Sequence, residues 1–186
     1  AEDHSILSLS PECFLRIHQG TVTSQPIKGT APRHVDPKQD TALALGLLNS
    51  EKDRAENVMI TDLLRNDLGQ FCQTGSVNVT ELCGLHSYNN VHHLVSTVEG
   101  KLAPGVSAGQ MLLATSPGGS ITGAPKKRAV EIIAELEPAP RGAYCGSLFI
   151  LGGDNWLQSS IAIRTLEITG NIVHCWGGGG ITASSQ

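Results

Sequence analysis

The sequence predicts an α+β fold, with antiparallel strands at the core and helices grouped among them. Three stretches carry helical apolar spacing with start or stop signals of their own. Strand-like alternation fills the regions between them. The last third closes as a strand–turn–strand meander, a connection that only antiparallel strands make.

The elements follow in order. Ile6-Leu7-Ser8-Leu9 reads as a strand, and a loop and second strand lead to Pro26-Ile27-Lys28-Gly29-Thr30. Asp36-Pro37 is a helix start, Asp as N-cap and Pro at the first helical position. Ala42, Leu43, Leu45, Leu47 and Leu48 carry that helix to Asn49-Ser50. Ser50, with Asp53 three positions on, resembles a capping box and starts a second helix through Ala55, Met59, Leu63 and Leu64 to about Gly69. Val77 and Val79 alternate as a strand, and Val91-His92-His93-Leu94-Val95 is a longer one. A glycine-rich loop, residues 116–126, runs into a third helix with Pro125 near its first turn. Ala129, Ile132, Ile133 and Leu136 share one side of that helix, and Pro138 and Pro140 stop it. Ser160 to Ile168 alternates as one strand, Thr169-Gly170-Asn171 turns, and Ile172 to Trp176 returns. Tyr144 is expected to begin the strand after the third helix.

A length of 186 residues suits one domain, and a 40% hydrophobic, 16% charged composition is that of an ordinary soluble globular protein. The net charge of −4, with no basic run, argues against nucleic-acid binding. No apolar run reaches membrane-span length, and no signal peptide is visible, so the expected compartment is the cytoplasm. Cys13, Cys72, Cys83, Cys145 and Cys175 are scattered and odd in number, which reads as reduced thiols, not a zinc site or disulfide framework. Both ends read as cut, a strand at the very start and no closing element after the last glycines, so a longer parent polypeptide is expected.

Several residues are candidates for chemistry, each with a plain alternative. Lys28 sits between a proline-stiffened entry and a glycine; kept from water, such an amine loses its proton and becomes a nucleophile, and otherwise it is a surface lysine. Asp53 and Glu56 lie three apart on one helix face, a pair that suits Mg²⁺ or is a cap and a solvated side chain. The loop 116–126 ends in a helix N-terminus that favours an anion, or is a plain connection; it is not a Walker A loop. Arg164 shares a strand face with Ala162, Leu166 and Ile168, with Ile161 and Ile163 opposite, so burial is expected and with it an anionic partner, either a ligand carboxylate or a distant acid. His93 lies with Val91, Val95 and Thr97, a catalyst or a core histidine, while His92 faces the other way and cannot chelate a metal beside it. Tyr144 could reach a polar ligand or be a half-buried strand residue. Glu12, after Ser10-Pro11, needs a pocket to be more than an exposed turn glutamate.

SPE, PIKGT, EKDRAEN with DLLRNDL, VHHLVS, PGGSITGAPK, SIAIRT and GGGGI follow one another along the chain. In content and order they resemble the chorismate-utilising enzymes, and the resemblance covers nearly the whole sequence. It implies antiparallel sheets in a sandwich core with helices outside, and residues 1–186 as a chorismate-binding catalytic region truncated at both ends. Within the family the middle residue of PIxGT discriminates: anthranilate synthases carry alanine there, and the branch that aminates chorismate at C4 carries lysine, as at Lys28. The resemblance therefore implies amination of chorismate toward 4-aminobenzoate and folate, with Mg²⁺ as cofactor and ammonia from a glutamine amidotransferase partner. The alternatives are an anthranilate synthase-like enzyme and a catalytically incomplete module that only binds.

Residue by residue, the resemblance implies Lys28 as nucleophile, Glu12 as general acid and His93 beside the substrate ring. Gly29 and Thr30 join the substrate contacts. Glu56 would bind the metal and Asp53 would act on it through water. Ser120 and the amides around Gly123, Ala124 and Pro125 would hold the ring carboxylate. Tyr144 and Arg164 would hold the enolpyruvyl carboxylate, and Gly178, Gly179 and Gly180 would line the ligand. The family's second acidic pair follows the GGGGI region, so half the metal site is expected beyond Gln186. Cys13 stands where arginine is common.

Overall fold

The computed structural model describes residues 3–181. Chain order is β1 (His4–Ser8), β2 (Cys13–His18), β3 (Thr21–Gln25), β4 (Ile27–Pro32), α1 (Pro37–Leu48), α2 (Glu51–Gly69), β5 (Asn78–Ser87), β6 (Val91–Lys101), α3 (Ala108–Thr115), α4 (Gly119–Thr122), α5 (Lys126–Leu136), β7 (Ser147–Leu151), β8 (Leu157–Ile161), β9 (Thr165–Thr169) and β10 (Ile172–Cys175). The strand pairs are antiparallel and the fold is α+β, as the sequence predicts. Two compact units divide the chain, one of residues 20–106 and one of the residues before and after them.

In the unit of residues 20–106, β6 is the spine. It pairs with β4 through its first half, β3 through its last, and β5 along most of its length. Residues 92–98 of β6 are all buried, a continuous rather than alternating pattern, as for a strand covered on both faces. Helix α1 starts as predicted: Asp36 accepts the Lys38 N–H, and Pro37 needs no donor there. Helix α2 starts on Ser50, whose side chain accepts the Asp53 N–H. It buries Asn57, Ile60, Thr61, Leu64 and Leu68, a stripe at helical spacing. Ala31, Leu47 and Leu94 form a core cluster with Leu43, Leu48 and Leu85 packed on it.

A buried polar network joins α2 to β6. Asn57 Nδ2 donates to the Leu94 carbonyl at 3.2 Å, and Thr61 Oγ1 donates to the Asn57 carbonyl at 2.7 Å. Ser96 Oγ donates to Asn57 Oδ1 and accepts the Cys83 N–H. Each of these groups has a partner, which is what makes a polar core tolerable.

In the other unit, β9 lies between β1 and β10, and β8 lies between β2 and β7. Here the structure departs from the sequence prediction. The expected strand over 160–168 is two strands, because the backbone breaks at residues 162–164, where Arg164 takes φ +49. Trp176 lies just beyond β10. Tyr144 sits in the turn before β7, not at a strand start. The strand expected from Tyr144 is β7, which begins at Ser147. Helix α3, which carries a full capping box of Ser107 and Gln110, and the four-residue α4 escaped prediction. No helix among the described residues is long and apolar enough to cross a membrane.

Candidate active site

The predicted site residues fall into two groups, one in each unit. In the unit of residues 20–106, Lys28, Gly29 and Thr30 lie on β4 and His93 on β6. The register runs Ile27↔Val95 and then Thr30↔His93, so Lys28 and Gly29 together face the single residue Leu94. This is a β-bulge, which leaves one residue outside the ladder and re-aims its side chain. Gly29 makes it possible. Its φ is +93, and a Cβ there would stand 2.9 Å from Asp53 Cβ and 3.0 Å from Leu47 Cδ1. The loop therefore rests directly on the first turn of α2. Lys28 itself is half-buried.

Thr30 Oγ1 and His93 Nδ1 are 2.8 Å apart, and the Tyr88 ring meets the His93 ring edge-on at 5.7 Å. His93 is 8% exposed, so a hydrogen bond and an aromatic contact fix a nearly buried imidazole. Asp53 and Glu56 are both half-buried on one face of α2. Their carboxylates have the hard oxygen donors that Mg²⁺ takes, and Mg²⁺ accepts one or two such groups with water completing its shell. Among the described residues no group of three or more His, Cys, Asp or Glu side chains could hold a metal. A cleft of about 590 Å³ opens beside this group, lined by Thr30, Ala31, Leu43, Leu47, Ser50 and Asp53 among others.

His92, which faces away from His93, is also polar-paired. Its Nε2 lies 3.1 Å from Asp40 Oδ1 and its Nδ1 2.8 Å from Ser87 Oγ. Arg33 Nε donates to Asp40 at 2.9 Å, and this bond, with the His34 N–H, holds the Asp40 carboxyl well below the usual carboxylate range.

In the other unit, Glu12 precedes β2 and is 7% exposed, so it is neither an exposed turn residue nor solvated. Ser120, on α4, donates from Oγ to Glu12 Oε1 at 2.7 Å. Gly118 lets this loop settle on Phe14 and Ile161, since a Cβ there would lie 2.8 Å from Ile161 Cδ1. Gly123 takes φ +126, and Ala124–Pro125 is a cis bond that hands the chain to α5 with Pro125 as its N-cap. Lys126 Nζ donates to the Thr115 carbonyl at 3.0 Å.

Tyr144 and Trp176 stack with their ring planes 5° apart. Burial pushes the Tyr144 hydroxyl above its ordinary pKa, so it stays protonated and able to donate. Gly178 approaches this hydroxyl closely, since a Cβ there would meet Tyr144 Oη at 2.7 Å; Gly179 and Gly180 have open space. The structure overturns the expected burial of Arg164. It is exposed at the break between β8 and β9, so the need to neutralise a buried guanidinium falls away. What remains is an accessible guanidinium on a strained backbone position.

The sequence reading missed the partners: Ser120 on Glu12, Thr30 and Tyr88 on His93, and Trp176 on Tyr144. A glycine inside a strand pattern, Gly29, was the one signal that could have announced the bulge.

Comparison with known proteins gives a consistent picture. The family described as chorismate binding enzyme matches residues 1–186. Aminodeoxychorismate synthase component 1 of Klebsiella aerogenes is 51% identical over 185 residues, covering 100% of this chain and 41% of that protein. Anthranilate synthase component 1 of Streptomyces coelicolor is 44% identical over 181 residues, covering 97% of this chain and 35% of that protein. The crystal structure of anthranilate synthase component I from Streptococcus pneumoniae TIGR4 superposes with a TM-score of 0.79 at 40% identity, covering 89% of this chain and 36% of that one. The chain thus spans about two fifths of the length of the curated relatives it matches.

Proposed function

The chain belongs to the chorismate-binding enzyme family, and from that premise we propose that it is part of an aminodeoxychorismate synthase component 1, converting chorismate and ammonia to 4-amino-4-deoxychorismate. One observation carries the reading: Lys28 of PIKGT occupies a β-bulge, braced by Gly29 on α2, where its side chain leaves the alternation of the strand. The 51% identity to a relative of that name supports it.

In the proposed reaction the Lys28 amine attacks ring C2 of chorismate. The ring double bond shifts and the C4 hydroxyl departs. Glu12, whose carboxyl is buried, protonates that hydroxyl so that water leaves. Ammonia then adds at C4, the double bond shifts back, and the lysine is expelled as a free amine. The net change is chorismate and ammonia to the amino product and water. His93, fixed by Thr30 and Tyr88, lies beside the ring in this reading. Tyr144 donates its hydroxyl, and Arg164 its guanidinium, to the enolpyruvyl carboxylate. Glu56, with Asp53 through water, would hold Mg²⁺, which supplies positive charge against a substrate carboxylate. Ammonia would come from a glutamine amidotransferase, in the cytoplasm, on the way to 4-aminobenzoate and folate.

The test uses the full-length protein with chorismate, Mg²⁺ and an ammonium salt. The expected product becomes 4-aminobenzoate only after a lyase is added. Intact-mass measurement during turnover should show an adduct on wild type and none on Lys28→Ala. Direct release of anthranilate, or an adduct that persists in the alanine variant, overturns the assignment.

A further inference from the structure

We propose that Ser120 is a positioning residue for Glu12 and not a contact to the substrate's ring carboxylate; this rests on the general-acid role given to Glu12 above. A serine hydroxyl carries one proton, and here that proton lies on Glu12 Oε1 at 2.7 Å. A substrate carboxylate offers acceptors only, so a hydroxyl already donating to Glu12 has nothing left to give it.

The backbones at both ends of this bond are tied down by other contacts. The Glu12 N–H donates to Ser10 Oγ at 3.2 Å, and the Glu12 carbonyl accepts the Ile161 N–H at 3.2 Å. Across from it, α4 closes on itself through the Gly123 N–H and the Gly119 carbonyl at 3.0 Å, while Gly118 packs on Phe14 and Ile161. The two side chains, 108 positions apart in sequence, therefore meet across a gap of fixed width. The consequence is chemical as well as geometric. The Ser120 contact to Oε1 sets which way the Glu12 carboxyl faces, and general acid catalysis depends on that direction because the proton must reach the departing oxygen within hydrogen-bond range.

The experiment is steady-state kinetics of the full-length protein with chorismate, ammonium and Mg²⁺. Ser120→Ala should lower kcat about tenfold or more with KM for chorismate within twofold of wild type. Ser120→Thr, which keeps the hydroxyl, should restore most of the rate. On a Glu12→Gln background Ser120→Ala should cost nothing further, since the two act as one unit. A raised KM with kcat unchanged would mean that Ser120 holds substrate, and overturns the proposal. So would full additivity with Glu12→Gln. If Glu12→Gln keeps wild-type turnover, or wild type does not use chorismate, the functional reading has failed; the position of the Glu12 carboxyl in a crystal structure of Ser120→Ala then decides the positioning claim alone. A displaced carboxyl supports it, and an unmoved one overturns it.

Discussion

Gly29→Ala tests how the nucleophile's loop is built. Two penalties combine at this position. An L-residue in the left-handed region costs roughly 1–2 kcal/mol, and φ +93 lies beyond the usual left-handed well. The added Cβ would also stand 2.9 Å from Asp53 Cβ. That atom is attached directly to the α2 backbone and cannot swing aside, and Leu47 on the other flank is in the core. Overpacking of this kind costs about 1–3 kcal/mol, so the total is about 2–5 kcal/mol. Gly20→Ala is the matched control, because it has φ +74 and nothing within 4 Å. It should cost only the conformational part. Gly46→Ala, mid-helix in α1 with open space around it, should instead gain about 0.5–1 kcal/mol. Urea unfolding at about 2 kcal/mol per molar reads the Gly29 cost as a midpoint lowered by roughly 1–2.5 M. A Gly29→Ala midpoint no lower than that of Gly20→Ala would refute the close approach of the bulge to α2.

Asp40→Asn should destabilise the protein at neutral pH. Because Arg33 and the His34 N–H depress the Asp40 pKa in the folded state, its contribution is fully present above the unfolded value of about 3.9 and is lost progressively as pH falls from there through the much lower folded-state value. The stability difference between wild type and Asp40→Asn should therefore begin to shrink below about pH 4 and go on shrinking with further acidification, and a constant difference would contradict this. Asn57→Ala strips the Leu94 carbonyl and Ser96 of a buried partner and should cost about 2–6 kcal/mol in chemical denaturation, at about 1–3 kcal/mol for each group left unmet. A variant as stable as wild type would mean that the network rearranges.

Regular elements were legible where a backbone signal stands next to the pattern. Asp36-Pro37 marks α1 because an N-cap acceptor and a residue lacking an N–H are what that position needs. Helix α3 has the same kind of signal in Ser107 and Gln110, yet at eight residues it is too short for its period to stand out. Strand β7 is a run of Leu148, Phe149, Ile150 and Leu151 without alternation, a pattern that fits a buried strand or a piece of helix equally. Arg164 misled for a different reason. Alternation on both sides of it suggested one strand, and a non-glycine residue at positive φ leaves no mark in sequence. The site's named residues came from ordered motifs, but their partners did not. Ser120 and Glu12 are 108 positions apart, and no local period can report a hydrogen bond of that span.

The bulge also explains how chemistry can change at position 28 without cost to the sheet. In a regular strand, residue 28 would be one rung of the ladder between β4 and β6, and its side-chain direction would be tied to that of every neighbour. At the bulge, Lys28 and Gly29 share one opposing residue, so the direction of Lys28 is set by the local twist and by Gly29's seat on α2. Changing residue 28 therefore leaves the Thr30↔His93 register alone, and with it the 2.8 Å contact that orients His93. Lys28→Ala should on this ground melt within about 1 kcal/mol of wild type, the range of partly exposed substitutions, while losing the adduct. A Lys28→Ala protein that unfolds as readily as Gly29→Ala would show that the lysine holds the loop, not that the loop holds the lysine.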